Sequence, residues 1–125
     1  MDIVPVVIVR YIEAYNAMNV NAMLDCLTDD VHFVNKSRGQ VTNETHGIAA
    51  FRSLAEQGVQ VFSERRQTIA DCIAIDDRAA LRIAYRATVA IDLPNGWKAG
   101  QTVEMAGTSF VEIADGKIRS LIDAS

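Results

Sequence analysis

The sequence lacks the cysteine clusters on which disulfide-stabilised and many metal-binding domains depend. Its two cysteines, Cys26 and Cys72, lie far apart, with no Cys-x-x-Cys pair and no histidine at ligand spacing. Isolated thiols of this kind are typical of a reducing compartment, where cysteine packs as a small apolar side chain. We therefore expect no disulfide, no metal site and a cytoplasmic location.

Long apolar runs and basic stretches are also missing. No segment approaches the roughly 20 apolar residues that a membrane-spanning helix needs, so we expect no membrane association. The net charge is -4 at pH 7 and no run of lysine or arginine forms a basic stripe, which argues against nucleic acid as a partner. Without a repeat, low-complexity tract or linker, residues 1–125 are expected to form a single domain.

Helical periodicity is present in the first half of the chain. Apolar residues recur at three- and four-residue steps between Val4 and Met18, which predicts a helix that Asp2 caps. A short second helix is expected over residues 22–27. Thr45 is expected to cap a third helix, which Gly58 ends.

Alternation with a period of two, which is typical of β-strands, dominates the remainder. Strands are predicted over residues 31–35, 63–75, 79–92, 101–113 and 117–123, and residues 36–45 are predicted to form a loop. Asp115-Gly116 between the last two strands is the strongest short-range signal of a hairpin. Three helices followed by a curved, mostly antiparallel sheet predict an α+β domain.

The two faces of the predicted sheet differ in residue type. One is apolar and carries Leu81, Ile83, Tyr85, Val89, Ile91, Val103, Met105, Val111, Ile113, Ile118 and Ile122. The other mixes small, aromatic and charged residues, namely Ala84, Arg86, Thr88, Ala90, Glu104, Ala106, Thr108, Phe110, Leu121 and Asp123. Because neither face is plainly polar, we expect both to be covered. Helices would cover one and enclose a partly polar cavity, and a second subunit would cover the apolar face through Tyr85, Val103 and Val111, giving a homodimer.

This order of elements resembles the nuclear transport factor 2-like superfamily. The resemblance is carried by two helices, Thr28-Asp29-Asp30-Val31-x-Phe33, a helix opening at Gly47-Ile48, and Ala114-Asp115-Gly116-Lys117-Ile118. The chain is most similar to the SnoaL-like cyclase, ketosteroid isomerase and limonene-epoxide hydrolase branches. The resemblance implies a cone-shaped α+β barrel in which three N-terminal helices pack on a curved, mostly antiparallel sheet. It does not by itself imply an activity, because this fold hosts enzymes, binding modules and structural subunits.

The ketosteroid isomerase pattern is matched only at its tyrosine. That catalytic tyrosine corresponds to Tyr11, whereas the general-base aspartate corresponds to Asn35 and the protonated aspartate to Thr108. Steroid isomerisation needs both carboxylates, one to move a proton and one to stabilise the enolate. The resemblance therefore implies that steroid-isomerase activity is absent.

The limonene-epoxide hydrolase pattern is matched at more positions. Its site asparagine, arginine and water-activating aspartate correspond to Asn35, Arg86 and Asp123. Its tyrosine corresponds to Phe33 and its acid aspartate to Thr88, so the proton donor of that mechanism is missing. An aspartate held by arginine and asparagine in an apolar pocket is still suited to general-base chemistry.

These matches predict an enzyme that acts on an apolar small molecule by cofactor-free acid/base chemistry of isomerase, cyclase or hydrolase type. The expected catalytic residues are Asp123, Arg86, Asn35 and Tyr11, with no metal or cofactor. The expected ligand-binding residues are Phe33, Thr88, Glu104, Thr108, Phe110 and Leu121.

Other interpretations of the same residues stay open. Asp123 and Arg86 could form a structural ion pair, or Asp123 could be exposed. The protein could be a non-catalytic ligand-binding or dimerisation module of the same fold, or a subunit of a larger complex. His32, His46, Arg65 and Arg66 are expected to be surface, capping or solvated strand-edge residues.

Overall fold

The computed structural model describes residues 1–125 and contains three helices and one six-stranded sheet. The helices are α1 (Val6–Asn16), α2 (Val20–Asp25) and α3 (Ile48–Val61). The strands are β1 (Leu27–Ser37), β2 (Gln40–His46), β3 (Phe62–Ile75), β4 (Arg78–Val89), β5 (Thr102–Ala114) and β6 (Lys117–Ala124). No helix is long and apolar enough to cross a membrane.

The strand order in the sheet is β2-β1-β6-β5-β4-β3. Neighbouring strands are antiparallel except for β1 and β6, which are parallel. Bulges in the β3–β4 and β5–β6 pairs bend the sheet. The predicted α+β class and mostly antiparallel sheet are confirmed. The helices do not all precede the sheet, however, because α3 follows β1 and β2 in the chain.

Strand β2 lies where the sequence predicted a loop over residues 36–45. A tight turn at Arg38-Gly39, both with positive φ, connects it to β1. Almost all of its residues are exposed, so it has no alternating apolar pattern from which a strand could be predicted. Thr45 therefore belongs to a strand rather than capping α3, which begins after Gly47 without any side-chain cap.

Other element boundaries also differ from the prediction. Helix α1 begins after Pro5, and the carboxylate of Asp2 instead accepts a hydrogen bond from the backbone N–H of Ala74 at 2.9 Å. Helix α3 continues beyond Gly58 to Val61. The predicted hairpin at Asp115-Gly116 is confirmed, since both residues have positive φ in the turn between β5 and β6.

The hydrophobic core lies between the helices and one face of the sheet, which we call the inner face. Its largest fully buried side chains are Ile8, Leu27, Val31, Cys72, Val89 and Ile118. Phe51 of α3 packs edge-on against Phe33 of β1, with ring centroids 5.4 Å apart. Burial of these apolar surfaces against the sheet is the main force holding the helices in place.

The inner face includes residues that the sequence assigned to a subunit interface. Val103 and Val111 are buried within the chain, and Tyr85 packs against the small apolar cluster that contains Val103. The predicted interface through these residues is therefore wrong, because the chain's own helices and loops cover them. The opposite face, which we call the outer face, is the one left open.

A bulge in β6 explains why Asp123 and Leu121 were assigned to the wrong face. The pairing of β5 with β6 shifts at Arg119, which is an extra residue in β6. An extra residue reverses the alternation of side chains along a strand. Leu121 and Asp123 consequently lie on the inner face with Ile118, and Ile122 lies on the outer face.

Candidate active site

A cavity lies between the helices and the inner face of the sheet. Its sheet-side lobe has a volume of about 220 Å³ and is bordered by β5 from Met105 to Ser109. Its helix-side lobe has a volume of about 290 Å³ and is bordered by Tyr11, Phe33 and Phe51. Both lobes share Tyr15, Asn35, Phe62, Gln67 and Asp123. The mixture of aromatic walls and a few convergent polar groups is typical of a small-molecule site.

Asp123 lies where the two lobes meet. It stands opposite Asn35 of β1 and Ser109 of β5 in the sheet, and the Ser109 hydroxyl donates a hydrogen bond of 2.7 Å to its carboxylate. Burial raises the pKa of Asp123 from 3.8 to about 6, and the hydrogen bond from Ser109 opposes that rise. The carboxyl group can therefore gain and lose a proton close to neutral pH.

Arg86 does not accompany Asp123. It points from the outer face of β4 and its Nη1 lies 3.7 Å from Oε1 of Glu104, with both side chains well exposed. Neither the predicted electrostatic partnership nor the alternative structural ion pair between Arg86 and Asp123 is formed. The reversed alternation in β6 separates them, because it moves Asp123 to the inner face.

Tyr11 and Asn35 do lie with Asp123. Tyr11 reaches the helix-side lobe from α1, and burial followed by the nearby Asp123 charge raises the pKa of its phenol, which therefore stays neutral. Asn35 borders both lobes, and its Nδ2 donates a hydrogen bond of 2.8 Å to Oγ1 of Thr42. Both side chains can contact a ligand that also contacts Asp123.

The predicted ligand-binding residues divide between the cavity, the core and the surface. Phe33 borders the helix-side lobe, and Leu121 is a buried core residue. Thr108 is exposed and borders the sheet-side lobe. Thr88, Glu104 and Phe110 lie on the outer face, away from the cavity, which corrects their predicted role.

Two tyrosines that the sequence did not assign to the site form a hydrogen-bonded pair in the cavity. The hydroxyl groups of Tyr15 and Tyr85 are 2.9 Å apart. Burial raises the pKa of Tyr85 far above its ordinary value, so the Tyr85 hydroxyl stays neutral and can donate a hydrogen bond. Nothing in the sequence separates these tyrosines from ordinary core residues.

Arg65 is another cavity residue that was assigned elsewhere. Only 6% of it is exposed, whereas its neighbour Arg66 is exposed. Its Nε donates a hydrogen bond of 3.0 Å to the backbone carbonyl of Tyr15, and its guanidinium lies 3.6 Å above the centroid of the Tyr15 ring. Arg65, Gln67 and Ile69 occupy every second position of β3, and this period of two indicates that they share one face with the apolar Ile69. The prediction of a solvated Arg65 is wrong.

Several proteins of known structure have a fold similar to that of this chain. AclR of Streptomyces galilaeus, for which a hydroxylase activity has been suggested, is 24% identical over 94% of this chain and 84% of AclR, with a TM-score of 0.74. A protein of Xanthomonas campestris pv. campestris with a suggested polyketide cyclase activity is 23% identical over 95% of this chain and 87% of its own, with a TM-score of 0.74. TerC, crystallised with polyporic acid, is 16% identical over 94% of this chain and 86% of TerC, with a TM-score of 0.72.

These solved structures share the fold, and their low identities support nothing finer than the fold. No curated protein sequence shows significant similarity to the chain. The sequence profile of the SnoaL-like domain, in contrast, matches residues 8–121, which is most of the chain. The chain therefore belongs to the SnoaL-like domain family, within the nuclear transport factor 2-like superfamily.

Proposed function

We propose that the protein is an enzyme that acts on an apolar small molecule by cofactor-free proton transfer, of the cyclase or isomerase type. The observation that carries this proposal is the position of Asp123, where two lobes of one cavity meet and a single hydroxyl holds its carboxylate. A carboxyl group with a pKa of about 6 is a stronger base than an ordinary aspartate and is still largely ionised at pH 7. The cyclase activity suggested for the Xanthomonas relative agrees with this class of chemistry.

The proposed step is removal of a proton from a carbon next to a carbonyl group. The Asp123 carboxylate takes the proton, the C–H electron pair forms a carbon–carbon double bond, and the carbonyl π pair moves to oxygen to give an enolate. If a C=C bond is conjugated with the enolate, Asp123 returns the proton at the far carbon, which is an isomerisation. Otherwise the enolate carbon attacks a second carbonyl carbon, whose π pair moves to its oxygen, and that alkoxide takes the proton back from Asp123, which closes a ring. Tyr11 and Asn35 orient the substrate, and Phe33 contributes to the apolar wall.

Deuterium exchange into 2-tetralone tests the proposal without knowledge of the natural substrate. This bicyclic ketone has an acidic C–H bond, and NMR in D₂O reports its exchange. We expect the protein to accelerate exchange, with a rate that rises through a pH of about 6 and then levels off, because only ionised Asp123 can accept the proton. Saturable binding of 2-tetralone without acceleration would contradict catalysis and favour the ligand-binding module.

We further propose that two copies of the chain associate through the outer face of the sheet. Side chains on this face form an apolar row across neighbouring strands, which consists of Ile73, Ala80, Phe110 and Ile122. Ile73, Ile75 and Phe110 are all more than half exposed. Soluble monomers seldom leave such a contiguous apolar patch uncovered.

We also propose a cytoplasmic location for the protein. The proposal rests on the two cysteines, which are unpaired and buried.

A further inference from the structure

Arg65 is a buried cation for which the protein supplies no counter-charge. Besides Tyr15, its only polar contact is a 3.8 Å approach of Nη2 to the sulfur of Met23. All ion pairs of the structure are formed by other residues. Charged side chains are almost never this buried unless they are paired, because removing a charge from water is costly.

Arg65 borders the helix-side lobe of the cavity together with Tyr11 and Asp123. The charge of Arg65 lowers the pKa of Tyr11 while the charge of Asp123 raises it, so the phenol senses both groups. Arg65 and Asp123 do not lie within ion-pair distance of each other. A ligand in this lobe can therefore meet a fixed positive charge at one point and the proposed base at another.

We propose that Arg65 is the anion-binding group of this site and that it binds the substrate oxygen on which negative charge resides or develops. This inference rests on the proposed function for its chemistry. As Asp123 removes the proton and the carbonyl π pair moves to oxygen, an N–H of Arg65 donates a hydrogen bond to that oxygen, and no other bond to Arg65 forms or breaks. Donors fixed at the place where charge develops stabilise the transition state. The implied substrates are carbonyl compounds that react through enolates.

A pair of ligands with the same shape and different charge tests the anion site. At pH 5, 2-naphthoate is largely anionic and Asp123 is mostly protonated, whereas 2-naphthamide is neutral. We expect the wild-type protein to bind 2-naphthoate about tenfold to a hundredfold more tightly than 2-naphthamide, because a hydrogen bond to a charged group discriminates by roughly that factor. Equal affinity for the two probes, measured by calorimetry, would overturn the proposal.

Substitution then assigns the preference to one residue. Arg65→Met keeps an unbranched apolar side chain at this position and removes the charge, so the preference for 2-naphthoate should disappear, whereas Arg65→Lys should keep part of it. Arg66→Met is the matched control on the exposed side of β3 and should bind like the wild type. A preference that survives in Arg65→Met, or that is lost equally in Arg66→Met, would contradict the assignment. If Arg65→Met does not fold, the affinities of the two probes for the wild type and for Arg65→Lys still test the assignment. A preference for 2-naphthoate that is unchanged in Arg65→Lys would contradict it.

This experiment separates the anion site from the proposed catalysis. A protein that prefers 2-naphthoate but does not accelerate 2-tetralone exchange has the anion site and is not an enzyme of the proposed kind. If the wild type and Arg65→Met accelerate exchange equally, the protein is an enzyme, but Arg65 does not stabilise the charge on the substrate oxygen.

A second, independent feature lies on the outer face at the opposite edge of the sheet from Ile73. His32 and His46 are direct partners across β1 and β2, and their rings stack with centroids 4.5 Å apart. Oε2 of Glu44 lies 2.7 Å from Nε2 of His32 and 3.5 Å from Nε2 of His46. The cluster could not be predicted from the sequence, because Glu44 and His46 lie on β2, most of which was predicted as a loop.

We infer that His32, Glu44 and His46 form a binding site for a divalent transition-metal ion such as Zn²⁺. Their donor atoms all lie within 4.8 Å of one another. Donors bound to one zinc ion at about 2.0–2.2 Å are roughly 3–3.5 Å apart, so small side-chain movements suffice. Two imidazoles and one carboxylate are a common ligand set for zinc, with the remaining position open to water. The ion would tie β2, which packs little side-chain surface, to β1.

Zinc titration of the metal-free protein tests this site. We expect one Zn²⁺ per chain in calorimetry and a raised melting temperature in the presence of Zn²⁺. His32→Ala and His46→Ala should each weaken binding by more than about tenfold, the least that loss of a supporting partner costs at metal sites. Glu64→Ala, an exposed carboxylate on β3, is the control and should bind as the wild type does. Absence of binding, or binding unaffected by either histidine substitution, would overturn the site.

Discussion

The Asp123→Asn variant is expected to lose 2-tetralone exchange by about 10²–10⁴-fold, the usual contribution of a general base. Asparagine keeps the size of the side chain and can still accept the hydrogen bond from Ser109, but it cannot take up a proton. The rise of the rate through a pH of about 6 should vanish with it. Asp30→Asn, which alters an exposed carboxylate on the neighbouring strand β1, is the control and should leave the rate unchanged.

The same variant is expected to be more stable than the wild type above pH 6. In the folded protein Asp123 has a pKa of about 6, whereas in the unfolded chain it ionises near 3.8. The folded state therefore binds the proton more tightly, and wild-type stability falls as the pH rises through this window. The cost reaches about 3 kcal/mol at pH 8 and asparagine avoids it, so the two proteins should melt alike near pH 4 and diverge at pH 8.

The hydrogen bond from Ser109 gives a second test of the role of Asp123. Ser109→Ala removes the hydrogen bond that lowers the pKa of Asp123, so the acid limb of the exchange rate should move to higher pH. A less stable Asp123→Asn protein at pH 8 would mean that the carboxylate has an attractive partner. An unchanged exchange rate in that variant would remove Asp123 from the proposed mechanism.

Phe110→Asp is expected to convert the protein from a dimer to a monomer. Phe110 lies in the apolar row on the outer face, and a two-fold interface would bring this row against the same row of a second copy. Four charged residues of this face pair within the chain, Arg86 with Glu104 and Arg82 with Asp71, so these four add little net charge that opposes self-association. A carboxylate in the apolar row would have to be buried without a partner, which prevents association.

Light scattering at micromolar concentration measures the effect. The wild type should have twice the mass of one chain, and Phe110→Asp the mass of one. Val41→Asp is a matched control, because Val41 is also more than half exposed but lies on β2, outside the row. A monomeric wild type would refute the dimer, and a dimer that survives Phe110→Asp would mean that another surface forms it.

The fold was predictable wherever burial imposes a pattern. Strands β3 to β6 alternate because one face packs on the core, and the hairpin at Asp115-Gly116 follows from the positive φ that both residues accept. Strand β2 was not predictable because its pairing with β1 depends on backbone hydrogen bonds, which leave no trace in side-chain type.

The candidate site was predictable only in part, for a related reason. Asp123, Asn35 and Tyr11 were found through a family resemblance, and all three border the cavity. Arg86 was placed beside Asp123 because strict alternation was continued through β6, whose bulge at Arg119 cannot be read from residue types. One unpaired residue thus decides which face of the sheet each later side chain occupies.

The parallel pairing of β1 with β6 also determines when this protein can fold. β6 lies between β1 and β5, so a nascent chain that lacks it has two separate groups of strands, β1–β2 and β3–β5, each with an open edge. Pairing between segments this far apart in the chain is slow, and open strand edges favour aggregation. The sheet therefore closes only once β6 has left the ribosome. Until then, the edges of β1 and β5 are open to pairing with other chains.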